Sequence, residues 1–138
     1  MKGDYGVRAV LDLAERFGQG PVQSEAIAKR QGVSEAYLDQ LLTLLRRADL
    51  VRSVRGPRGG HELARPADQI TLMDVLTALE GSFLKVGPDS NQDLPSVRVQ
   101  QEVWQQVQQE AQRILESTRI SELLERQRAM GSAARYVI

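Results

Sequence analysis

Six arginines fall between Arg46 and Arg65, opposed over that stretch only by Asp49 and Glu62. A guanidinium presents a planar fork of donors that suits phosphate, so a cluster of this kind is chemistry for binding anions. The densest part is Arg55-Gly56-Pro57-Arg58-Gly59-Gly60-His61. Glycines there let the backbone approach a phosphate closely while the arginines pair with it or enter a groove. The run lacks the Lys-Ser/Thr ending of a nucleotide-binding P-loop. The cluster is the electrostatic footprint expected of nucleic-acid binding, with Arg46, Arg55 and Arg58 as candidate contacts.

Little else in the chain can do chemistry. It has no cysteine, which excludes disulfides, thiol catalysis and thiolate-held metals. Its single histidine, His61, cannot make a zinc site without several carboxylate partners. No nucleophile–base pair or carboxylate dyad is discernible, so an enzyme is not expected. No apolar run reaches the ~20 residues of a membrane span, and Lys2, Asp4 and Arg8 interrupt the start as no signal peptide would. A cytoplasmic protein is the expectation.

The elements that must carry these arginines follow from periodicity. Val7, Val10, Leu11, Leu13, Ala14 and Phe17 have helical spacing over Tyr5 to Phe17. Ser24 reads as the cap of a second helix with Ile27 and Ala28 inward and Gly32 as its stop. Ser34 caps a third, in which Tyr37, Leu38, Leu41, Leu42, Leu44 and Leu45 repeat as far as Ala48. Two helices about a Gly-containing turn fit either a helix-turn-helix or an ordinary αα-hairpin. The next segment separates the two. Leu50 to Val54 alternates as a strand, and Glu62-Leu63-Ala64 reads as its partner, with the arginine–glycine run as the loop between. A β-hairpin directly after a recognition helix is a wing.

A fourth helix spans Ile70 to Leu79, capped by Thr71 and closed at Gly81. Residues 82–96 have the composition of a flexible loop. From about Val97 to Glu116 the pattern is a long helix with a narrow stripe of Val99, Val103, Val107, Ala111, Ile114 and Leu115, and Trp104 beside it. A helix of about 30 Å with so narrow an apolar seam pairs with another helix. Ile120 to Leu124 adds one short turn. The expected organisation is a DNA-binding domain at 1–81, a loop at 82–96, dimerisation and short helices at 97–128, and a tail at 129–138. Overall the fold is mainly α with a small β-hairpin wing.

The net charge of zero conceals an asymmetry. Residues 1–65 hold 11 Lys/Arg and 8 Asp/Glu, a net of +3, and residues 66–138 hold 7 and 10, a net of −3. The acidic second half keeps open an alternative, a winged-helix adaptor that acts on a protein partner instead of DNA.

Four blocks carry a family resemblance: Tyr5-Gly-Val-Arg-Ala-Val-Leu-Asp-Leu-Ala, Val33-Ser-Glu-Ala-Tyr-Leu-Asp-Gln-Leu-Leu, Leu50-Val-Arg-Ser-Val-Arg-Gly-Pro-Arg-Gly-Gly-His and Ile70-Thr-Leu-Met-Asp-Val-Leu-Thr-Ala-Leu-Glu-Gly. In order, over residues 3–125, the chain resembles the bacterial winged helix-turn-helix transcriptional regulators that include IscR, NsrR and CymR. The resemblance implies a homodimer with crossed long helices and a near-palindromic site on double-stranded DNA, more often as a repressor. It would place Ser34, Asp39 and Gln40 at the major groove, Tyr37 near the backbone, and Arg55, Gly56 and Pro57 in the minor groove. Glutamine suits adenine and a carboxylate suits the amino group of cytosine.

Two departures stand out. Many such relatives hold an iron–sulfur cluster on three cysteines before the long helix, whereas residues 85–103 here hold none. The resemblance therefore implies no cluster, and carboxylates are poor substitutes for soft thiolates. Either the chain is of a cysteine-free kind that answers to a partner protein or small-molecule effector, or cysteines have been replaced, Ser90 and Ser96 being the candidates. The second departure is His61, where relatives carry tyrosine; packing at the base of the wing is its expected role.

Overall fold

The computed structural model describes residues 2–81 and 94–136. Helices α1 (Lys2–Glu15), α2 (Ser24–Gln31) and α3 (Glu35–Arg47) precede a hairpin of β1 (Val51–Val54) and β2 (Gly60–Leu63). After a 3-10 turn at Ala67–Gln69 come α4 (Leu72–Glu80), α5 (Pro95–Ser117) and α6 (Ile120–Tyr136). This is a winged helix-turn-helix unit with a long helical extension.

One core serves the whole unit. Ala9, Val10 and Leu13 of α1, Ile27 of α2, and Leu38, Leu41 and Leu45 of α3 are buried together with Leu50, Leu63, Ile70, Val75 and Ile120. Each buried leucine or isoleucine contributes roughly 1.5–3 kcal/mol relative to exposure. The hairpin is antiparallel with Val51 opposite Leu63 and Val54 opposite Gly60. Only Val51 and Leu63 of these strands reach the core, so the wing hangs from it by its base. Close packing of α1 on α4 requires Gly6, where a Cβ would overlap the Leu79 side chain.

The extension is tied to this core at the α5–α6 corner. Leu72 N–H donates to Thr118 O at 2.9 Å and Ile120 N–H to Ile70 O at 2.8 Å. Ile120 and Leu124 then bury against the same cluster. Pro95 opens α5, a first-turn position that has no use for the missing N–H. At 23 residues α5 spans about 34 Å.

Several sequence expectations need correction. Helix α1 begins at Lys2 and ends at Glu15, so Phe17 lies in the following turn and is 46% exposed. Ser24 is not a cap: Gln23 holds that position without a side-chain bond, and the Ser24 hydroxyl instead donates to Glu35 Oε1 at 3.2 Å. The final segment is not a loose tail from 129. Helix α6 continues through Tyr136, because Gly131 is followed by helix formers and nothing breaks the run. Most of the expected loop at 82–96, including Ser90, lies outside the described residues, while Pro95 and Ser96 already belong to α5.

Candidate nucleic-acid interface

The recognition helix is set by a short chain of local devices. Gly32 ends α2 at φ 67°, ψ 36°, the left-handed conformation glycine adopts without cost, and its N–H donates to Ala28 O. Two residues later Ser34 accepts a hydrogen bond from Tyr37 N–H at 3.2 Å, the cap the sequence leads one to expect. Tyr37 is half-buried and meets Tyr5 edge-on, with ring centroids 5.8 Å apart, and Arg8 lies over the Tyr5 ring. Tyr37 therefore fastens the start of α3 to α1. Ser34, Asp39, Gln40 and Arg46 are exposed, while Leu38, Leu41, Leu42 and Leu45 fill the buried side.

Helix α2 is clamped to α1 by Asp12, whose side chain is only 2% exposed. Arg30 grips it with two bonds, Nε to Oδ2 at 2.9 Å and Nη2 to Oδ1 at 2.8 Å. Gln31 Nε2 donates to Oδ2 at 3.1 Å and Arg16 Nη1 to Oδ1 at 3.3 Å. Arg8 closes the cluster through Gln31, onto both its side-chain and backbone oxygens. Burial pushes the Asp12 carboxyl up, yet the hydrogen bonds from Arg30 and Gln31 and the charges of Arg30 and Arg16 outweigh it, leaving the group below its ordinary value.

The wing tip exposes Arg55, Gly56, Pro57 and Arg58. Gly56, at φ 115°, makes the bend, and Gly59 N–H donates to Gly56 O at 2.9 Å. At Gly59 a Cβ would run into the Val54 carbonyl, and at Gly60 it would lie 2.5 Å from Val22 O. The glycines thus serve the turn's own packing. On one face of the hairpin Arg52 pairs with Glu62 at 2.7 Å, which leaves Arg52 less available to DNA.

Sequence reasoning missed how the wing is held to the recognition helix. Arg46 Nη1 donates to Ser53 Oγ at 3.1 Å, and Ser53 Oγ lies 3.2 Å from His61 Nδ1. His61 and Val22 exchange backbone bonds of 2.7 and 2.8 Å, joining the wing to the segment before α2. His61 does not sit at the wing base, where Val51 faces Leu63, but opposite Ser53, one pair from the Val54–Gly60 end of the strands, and it carries these bonds. Asp12 was equally hidden. Its only sequence signal is a lone carboxylate inside the apolar run Leu11-Asp12-Leu13 with Arg16 one helical turn on.

Burial holds His61 below its usual value of 6.5, with Asp39 raising it and Arg46 lowering it further. A histidine depressed on folding leaves the unfolded chain with more bound protons between the two values, so stability rises with pH there. We expect a stability component present above about pH 6.5, lost as pH falls toward the lower folded value. Urea midpoints measured from pH 8 to pH 5 should show that loss in the wild type and a smaller one in His61→Asn; parallel curves would remove the assignment.

On α5, Val99, Val103, Trp104, Val107 and Ile114 are each about half exposed or more, and Ala111 is partly covered. No residue of this helix is buried. The stripe the sequence assigned to dimerisation is therefore uncovered in the single chain.

The Rrf2 family model, described as "Iron-dependent Transcriptional regulator", matches residues 1–126. The chain is 36% identical over 122 residues to the HTH-type transcriptional regulator CymR of Bacillus subtilis, covering 88% of this chain and 86% of that one. The solved structure of CymR (YrzC), the global cysteine regulator of B. subtilis, superposes with a TM-score of 0.80 at 35% identity, covering 91% of this chain and 94% of that one. That of T. potens IscR does so at 0.75 and 42% identity, covering 91% and 84%. With the winged fold, the exposed recognition helix and this agreement across nearly its whole length, the chain belongs to the Rrf2 family and is a DNA-binding transcriptional regulator.

Proposed function

We propose that the chain works as a cytoplasmic homodimeric repressor that reads a near-palindromic operator without an iron–sulfur cluster. The observation that carries this reading is the joint exposure of Gln40, Asp39 and Arg46 on α3 and Arg55 and Arg58 on the wing, beside buried apolar neighbours on the same elements. Those positions suit base edges for α3 and phosphate or minor groove for the wing. The uncovered stripe on α5 supports pairing of two such units.

The family description names iron, and the donors here do not fit a thiolate-held cluster. The chain has no cysteine, and its one histidine lies in the wing, bonded to Ser53. Among the described residues no three His, Asp or Glu side chains gather to hold a metal. In this reading the signal arrives through a partner protein or a small effector. The net charge of −3 over residues 66–138 favours a second reading, in which the acidic half binds a protein and DNA binding is lost.

Salt titration of DNA affinity separates the two. Affinity should fall steeply with salt, and Arg55→Ala should flatten the log–log slope by about 0.9, one phosphate contact. An unchanged slope would take the wing out of the interface, and no measurable binding to any duplex would favour the adaptor.

A further inference from the structure

We propose that His61 is a positioning residue that aims Arg46 at DNA through an ordered relay over Ser53. The relay joins three elements: Arg46 in the last turn of α3, Ser53 on β1, and His61 directly opposite Ser53 on β2. Its polarity follows from donor chemistry. An arginine can only donate, so Ser53 Oγ accepts from Arg46 and sends its own proton to His61 Nδ1. That direction needs Nδ1 unprotonated, with the ring proton on Nε2. The half-buried setting favours the neutral ring. Asp39 and Arg46 on α3 are the charged groups that act on it, with opposite signs.

The His61 backbone is fixed by bonds in both directions to Val22, and Gly60 lets the Val22 carbonyl come close beside it. A wandering arginine head is thereby tied, by one of its five donors, to a rigid point on the hairpin, leaving four for phosphate or base edges. The same tie fixes the spacing of wing and recognition helix, the two parts that must enter neighbouring grooves together. This inference rests on the reading of Arg46 as a DNA contact.

A double-mutant cycle tests it, with anisotropy of a fluorescein-labelled random-sequence duplex at low salt as the readout. His61→Phe keeps a ring of similar size but no acceptor; it should weaken binding about fivefold in the wild type and less than about twofold in Arg46→Ala. Ser53→Ala, an exposed strand position, should show the same pattern. His61→Asn, whose Oδ1 can stand in for Nδ1, should recover binding to within about twofold of wild type. Equal losses from His61→Phe in both backgrounds, or no rescue by asparagine, would overturn the relay and leave Arg46 as a contact. An Arg46→Ala variant that binds as the wild type does would overturn the contact and the relay together.

Discussion

Asp12→Ala will destabilise the protein by about 2–3 kcal/mol, more than any single exposed residue of the interface could. The carboxylate accepts from Arg30, Gln31 and Arg16 and is almost fully covered. Removing one partner of a buried pair typically costs 3–5 kcal/mol, because the remaining charge is left uncompensated. The lower figure applies here because Arg30 is 35% exposed and can turn to water. Replacing both partners, Asp12→Leu with Arg30→Met, should recover much of the loss, since apolar substitutes for a buried ion pair are often neutral. The contribution also has a pH signature. The folded carboxyl lies below its unfolded value of 3.8, so its stabilisation is present above that pH and vanishes as pH falls through the folded value. Urea unfolding at neutral pH and again near pH 3 reads both effects. A neutral-pH loss below about 1 kcal/mol would mean that α1 and α2 are held by the apolar contacts alone.

The second large effect concerns assembly. Val103→Glu with Val107→Glu places two charges in the middle of the α5 stripe, where both valines are half exposed in the single chain. A carboxylate at a helix–helix seam must be desolvated, while in an unpaired helix it stays in water. The variant should sediment as a monomer and lose at least ~100-fold in affinity for a palindromic duplex, because two linked half-sites bind far more tightly than one. Its helix content should not change, since both side chains are half exposed and the helix buries no residue in the single chain. A variant that remains dimeric would take the interface off the α5 stripe.

What the sequence disclosed was what has a period or a local code. The leucines of α3, the stop at Gly32, the caps at Ser34 and Thr71 and the hairpin all stand where the pattern puts them. Thr71 does more than expected, because its N–H donates to Asp74 Oδ2 and completes a reciprocal cap. What stayed hidden depends on contacts between distant residues. The Asp12–Arg30 clamp joins residues 18 apart, and the wing bridge joins Val22 to His61; neither leaves a spacing to read. Ser24 misled because a serine at a helix start is the usual cap, and here the hydroxyl turns to Glu35 instead. The segment from 129 reads as a tail because it has no apolar period, yet α6 runs on through Gly131 to Tyr136.

In the proposed function, two copies of this cysteine-free chain read a palindrome unaided. Selection of bound duplexes from a random pool, with the purified full chain and chelator present, tests it most directly. The expected result is enrichment of two inverted half-sites whose centres are separated by whole turns of the DNA helix. Enrichment of a single half-site, or of nothing until iron is restored, would contradict it.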